Sequence, residues 1–94
     1  MSSLFDLTEA DNLKEFKNKT KELTMKDLER INLAGGQTIL NYAVSNASLN
    51  IIKYLLDLGF DVNLKSKNDG NALYRAIYCE EIDIVKLLLK YNPD

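Results

Sequence analysis

Two stretches of this 94-residue chain repeat each other at a spacing of 33. Thr38-Ile39-Leu40-Asn41-Tyr42-Ala43, followed by Ile51-Ile52-Lys53-Tyr54-Leu55-Leu56, returns as Asn71-Ala72-Leu73-Tyr74-Arg75-Ala76 and Ile84-Val85-Lys86-Leu87-Leu88-Leu89. Leu40 maps onto Leu73, Ala43 onto Ala76, Leu55 onto Leu88, and Gly59-Phe60-Asp61 onto Asn92-Pro93-Asp94, with no gap between these anchors. A fixed period of this length points to stacked supersecondary units, none of which buries its apolar face alone.

Each copy reads as two helices. In the longer one, Asn50, Lys53 and Asp57 fall at i, i+3 and i+7, a single polar stripe on an otherwise apolar helix. Asp83, Lys86 and Lys90 repeat it. So narrow a stripe requires burial on both flanks, as in an internal layer of a stack. Segments 38–45 and 71–78 supply the shorter partner helices, where small Ala43 and Ala76 allow close approach. Gly59 is expected to end the first long helix in the left-handed conformation, with Asn92 substituting in the second copy. Asn68-Asp69-Gly70 marks the turn between copies.

These residues resemble the ankyrin repeat, a β-turn plus two antiparallel helices opening on T-P-L-H-x-A. The likeness is strong over residues 36–94 and weak before. Thr38, Leu40 and Ala43 keep the pattern, with Ile39 for Pro and Asn41 for His; the second copy has Asn71, Ala72 and Tyr74 at the Thr, Pro and His positions. Gly59-Phe60-Asp61-Val62-Asn63-Leu64 is similar to the family's Gly-Ala-Asp-Val-Asn-Ala turn. Gly70 stands one residue later than the family glycine, which implies a distorted turn tip. The family histidine bridges neighbouring turns, so its absence implies looser hydrogen bonding between repeats. The resemblance implies an all-α solenoid of antiparallel helix pairs joined by β-turn loops, one domain over 1–94: a degenerate N-terminal capping repeat (1–35), a repeat (36–68) and an incomplete repeat (69–94).

The N-terminal part is read by its caps. Ser3 caps a first helix with Asp6 near its positive end, placing Leu4 and Leu7 in the roles of Leu40 and Ala43. Asp11 is the expected cap of a second helix, in which Leu13 and Phe16 correspond to Leu49 and Ile52; Lys19 and Thr20 then stand where later copies have two leucines. Such polarity suits the soluble end of a solenoid. Thr24-Met25-Lys26-Asp27 has capping-box spacing, so Met25–Arg30 is expected to be an extra short helix. Ile31-Asn32-Leu33 resembles Val62-Asn63-Leu64, and Gly35-Gly36 tightens the turn that follows. At the other end, Leu87, Leu88 and Leu89 make the last helix as apolar as an internal one. The expectation is further repeats, a homodimer through that face, or a docked partner.

The remaining inventory excludes classes of function. Twelve Lys and Arg against fourteen Asp and Glu give a net charge of −2, spread as −1 over residues 1–36 and −1 over 37–94, so no basic stripe exists to neutralise phosphates. Nucleic acid is not an expected partner. Lys14, Lys17, Lys19 and Lys21 are interrupted by Glu15 and Glu22 and read as a solvated face. No run approaches the ~20 apolar residues of a membrane span. A single cysteine, Cys79, leaves no internal disulfide and suggests a reducing, cytoplasmic setting. With no histidine, the commonest general base and zinc ligand are absent. Glu80, Glu81 and Asp83 complement a helix N-terminus, and Cys79, followed by two acids, lacks the cationic neighbour of a reactive thiol. No catalytic residue, cofactor or metal is expected.

What remains is recognition. In the family the concave groove is lined by turn tips and outward positions of the short helices, which implies partner contacts from Tyr42, Ser45 and Asn46, from Lys65, Lys67 and Asn68, and from Arg75, Tyr78 and Cys79. Tyr54 and Tyr91, on the long helices, read as packing residues. The function expected is non-catalytic binding of a partner protein; the alternatives are an inhibitor or immunity protein that blocks an enzyme or toxin, and an architectural piece of a longer array.

Overall fold

The computed structural model describes residues 3–67 and 70–91. Asn68, the turn tip at Asp69, and the Asn92 cap lie outside the described residues. Three antiparallel helix pairs stack in chain order: α1 (Leu4–Glu9) with α2 (Leu13–Thr20), α4 (Ile39–Ser45) with α5 (Leu49–Leu58), and α6 (Ala72–Tyr78) with α7 (Ile82–Leu89). The extra helix α3 (Met25–Arg30) lies between the first two pairs in sequence, followed by the hairpin of β1 (Asn32–Leu33) and β2 (Gln37–Thr38).

Caps at Ser3 and Thr24 stand where the sequence places them, and Thr38 and Asn71 cap the other short helices. Ser3 and Thr24 form capping boxes with Asp6 and Asp27. Thr38 accepts from the Asn41 N–H and Asn71 from the Tyr74 N–H. The turn inside each pair is built three times alike. Asn12 N–H donates to Leu7 O, Ser48 N–H to Ala43 O and Glu81 N–H to Ala76 O, each at 2.9 Å. The residue just before each donor is left-handed: Asp11 (φ 54), Ala47 (φ 53) and Glu80 (φ 58).

Asp11 has a task different from the one expected. Asn12 caps α2, accepting from Glu15 N–H at 3.3 Å. The Asp11 carboxylate reaches the next repeat instead, accepting from Ile51 N–H (3.0 Å), Asn50 N–H (3.3 Å) and Asn50 Nδ2 (3.1 Å) at the start of α5. Ser48, the residue before α5, makes no cap bond, and its hydroxyl donates to Thr8 O in the first repeat. The corresponding start of α7, after Glu81, has no side-chain cap, and the residue equivalent to Asp11 is Ala47. An alanine held left-handed costs about 1 kcal/mol that asparagine largely avoids. Ala47→Asn is therefore expected to stabilise the fold by about 1 kcal/mol, raising Tm by roughly 4–8 °C, and to offer α7 a cap. A calorimetric Tm at or below wild type would contradict this.

The core runs unbroken through all three pairs. Phe16, Ile39, Leu40, Ala43, Val44, Ile51, Ile52, Leu55, Ala72, Ala76 and Leu88 are fully or almost fully buried. Asn50, Lys53 and Asp57 are exposed, as are Asp83, Lys86 and Lys90. In α5 both flanks of the stripe are covered, through Ile51, Ile52, Leu55 and Leu56. In α7 only Ile84 and Leu88 are buried, so its other flank stays open. Gly59 ends α5 at φ 96, and Phe60 N–H returns to Leu55 O.

The turns at the two repeat junctions, the fingers of the stack, are linked to each other by backbone and side-chain hydrogen bonds. Gly36, at φ 77, accepts from Lys67 N–H at 3.2 Å, and a side chain there would meet Lys67 Cβ at 3.0 Å. Buried Ser66 accepts from Thr38 N–H at 3.0 Å. Asn41, at the histidine position and fully buried, donates through Nδ2 to Gly70 O at 3.0 Å. The same carbonyl accepts from Ser66 N–H at 2.8 Å, closing the Ser66–Gly70 bridge. Asparagine is long enough to make the link because the two turns lie side by side. The link is single, since the buried Asn41 Oδ1 has no hydrogen-bond partner, so the expected loosening holds for that half of the side chain.

Candidate interaction surface

The outward side of the short helices is where repeats expose side chains that the core does not need. On α4, Ser45 Oγ has Gln37 Oε1 (3.2 Å) and Asn41 O of its own helix (3.1 Å) within reach of its one proton, and accepts from Arg75 Nε at 2.7 Å. Arg75 lies one repeat along, on α6, with its guanidinium carbon 5.6 Å from the centroid of the Tyr78 ring. That ring is 71% exposed. Stacking and the hydrogen bond to Ser45 together hold the arginine in place, and a preorganised Arg–Tyr pair loses little entropy on binding. Lys65 and Lys67 are exposed on the neighbouring finger, and Lys67 is fixed at its backbone by Gly36. Asn46 is exposed, with Nδ2 donating to Tyr42 O at 2.9 Å, and half-buried Cys79 closes α6 through its N–H to Arg75 O.

Tyr42 stands apart from this group. It is 7% exposed, its ring lies 4.8 Å from that of Phe5, and its hydroxyl donates to Glu9 Oε2 at 2.8 Å. It docks the first repeat onto the second, so the expected contact role is corrected to a packing role. A phenol so placed is held protonated: burial first, then the Glu9 carboxylate, push its pKa above the ordinary tyrosine value. Because that folded-state value is raised, its stabilisation is full below the unfolded tyrosine pKa of about 10 and fades as pH climbs through the raised value.

Tyr54 and Tyr91 pack, as expected. Tyr54 meets Phe16 edge-on at 6.2 Å, and Tyr91 donates to Asp57 Oδ1 at 2.8 Å across the repeat boundary. Sequence reasoning missed Gln37, whose amide steadies Ser45, and the exposure of Tyr74 (57%) and Ile77 (59%). The repeat alignment pointed the other way for the latter, since both align with the buried Asn41 and Val44 of the copy before. Among the described residues no helix is long and apolar enough to cross a membrane.

Stacked helix pairs with paired fingers and a polar, aromatic rim along the short helices define a helical-repeat solenoid. A family model for ankyrin repeats in three copies matches residues 9–94, and the chain belongs to the ankyrin-repeat family. It is 36% identical over 92 residues to an ankyrin repeat protein of Rickettsia bellii, covering 97% of this chain and 11% of that one. It is 31% identical over 80 residues to the Notch-regulated ankyrin repeat-containing protein of Xenopus tropicalis, covering 83% and 69%. The chain spans about a tenth of the length of the Rickettsia relatives it matches. The fold superposes at a TM-score of 0.81, with 24% identity, on a chain from the complex of a predatory endopeptidase with an immunity protein in Bdellovibrio bacteriovorus, covering all of this chain and 48% of that one.

Proposed function

We propose that this chain is a non-catalytic protein-binding module whose contact surface is the rim formed by Ser45, Arg75 and Tyr78, with Asn46, Lys65, Lys67 and Cys79 around it. Ankyrin repeats are a protein-interaction module; the observation that carries the finer reading is the exposed Tyr78 ring under an arginine anchored from the neighbouring repeat. Tyr and Arg are the residue types that dominate interface energetics. A narrower form is a module that blocks an enzyme by covering its surface. The solved complex of the same fold, which pairs an endopeptidase with an immunity protein, supports that form.

Partner capture from the source-cell lysate tests this, comparing the wild type with the Arg75→Ala, Tyr78→Ala double variant. Tyr42 is left intact because removing it would unseat the first repeat. Two central contacts of about 2 kcal/mol each predict at least 30-fold weaker retention of the partner, with circular dichroism unchanged. A partner held equally by both proteins would place recognition elsewhere on the molecule.

A further inference from the structure

Charge along the short helices changes sign from one end of the stack to the other. The turns inside the three pairs align Leu7 with Ala43 and Ala76. Asp6, Tyr42 and Arg75 therefore form one row across the short helices, and Glu9, Ser45 and Tyr78 the next. α1 brings two exposed carboxylates to these rows, Asp6 and Glu9, and no base. Each is hydrogen-bonded to a neutral group, the Ser3 N–H and the Tyr42 hydroxyl. After burial, Glu9 and then Asp6 raise the Tyr42 pKa, so their negative field reaches the middle repeat. Residues 31–52, which hold the first finger and α4, carry no charged side chain. Residues 62–79 carry Lys65, Lys67 and Arg75 against one acid, Asp69, a net +2. Both lysines are exposed, and the Lys67 stem lies beside Gly36 of the first finger. Glu80 and Glu81 lie past the end of α6 that is remote from its finger. The long helices show no such gradient. Lys53 and Asp57 on α5, and Asp83 and Lys86 on α7, mix the two signs, and on α2 Glu15 and Lys19 stand exposed where α5 buries Ile51 and Leu55.

We propose that the rim binds an extended segment of a partner protein whose ends carry opposite charge, basic residues over Asp6 and Glu9 and acidic residues over Lys65, Lys67 and Arg75. This rests on the rim reading above and adds the chemistry of the partner. Packed helices lie about 8–10 Å apart, so two steps across the stack span about 16–20 Å, which about five or six extended residues cover. The uncharged middle, with Gln37, Ser45 and Asn46, offers hydrogen-bonding groups in place of charge. A uniformly acidic segment would be repelled at α1 and a uniformly basic one at α6. The gradient thus selects the partner and fixes the direction in which its chain lies.

The test is an amide NMR titration at low ionic strength, where exposed charges are least screened. The probes are nine-residue peptides of one composition: two glutamates at one end, two lysines at the other and five serines and alanines between, then the reversed sequence, then an isomer with the charges alternating. Both orders are needed because the rim does not specify which terminus of the partner lies over α1. The expected result is that one end-charged peptide binds at least about fivefold tighter than the alternating isomer, shifting amides of α1 and α6 together. In the Lys65→Glu, Lys67→Glu variant that preference should fall below about twofold; if the variant is misfolded by circular dichroism, Lys65→Gln, Lys67→Gln serves in its place. Equal affinity for all three peptides, no binding at millimolar concentration, or a preference that survives the lysine substitutions would overturn the charge matching and leave the rim reading standing. Shifts confined to the long helices would overturn both.

Discussion

Phe16→Ala should lower the stability of the whole domain by about 3–5 kcal/mol, the usual cost of emptying a fully enclosed aromatic site. Phe16 has no exposed surface, and it is the one large apolar side chain that α2 buries completely. It meets Tyr54 of α5 edge-on, at an interplanar angle of 86°. The remainder of α2 is too polar to hold the first pair against the second. Two repeats are too few to bury a continuous core, so release of the first pair is expected to take the others with it. Thermal unfolding followed by far-UV circular dichroism should show a single transition at least ~12 °C below wild type. A loss under about 1 kcal/mol, or a first step that leaves α4 to α7 folded, would mean that the first pair contributes little to the stack.

The second large effect is expected at Asp11. Asp11→Ala removes the acceptor for three N–H groups at the start of α5 and leaves an alanine at φ 54. A lost cap costs about 0.5–2 kcal/mol and the strained alanine about 1 more, so about 1.5–3 kcal/mol should disappear from the urea unfolding free energy. Asp11→Asn keeps a carbonyl acceptor and tolerance of the left-handed region, and it should retain more than half of that. If asparagine is as damaging as alanine, the charge facing the positive end of α5 is what matters. If alanine is harmless, the carboxylate does not couple the repeats.

Much of the stack could be read from the sequence because its signal is local and repeated. The 33-residue spacing, the caps at Ser3 and Thr24, the left-handed Gly59 and the polar stripes are each set by a few neighbouring residues. What escaped was relational. Asp11 sits where a local cap belongs, and only the packing of two repeats reveals that its carboxylate lies 3.0 Å from Ile51 N. Tyr42 has the spacing of a rim residue, but Phe5 and Glu9 from a poorly matching repeat close over it. Asn41 departs from the family pattern, yet it is placed to reach Gly70 O because the fingers lie side by side. The open flank of the last pair was expected from Leu87, Leu88 and Leu89. Leu88 proves fully buried, and the exposed strip is shared between Leu89 and the α6 residues Tyr74 and Ile77.

Glu15 and Lys19 at one end, against Ile51 and Leu55 in the middle, give this stack a direction in which it can lengthen. A tandem duplication of residues 36–68 would place one apolar-sided unit against another, and both would find the neighbour their surfaces already fit. Duplication of residues 1–35 would press the charged side of α2 onto an apolar layer. Insertion of a whole unit is thus accommodated between the apolar layers and resisted against the charged side of α2, an asymmetry set by two side chains on that helix.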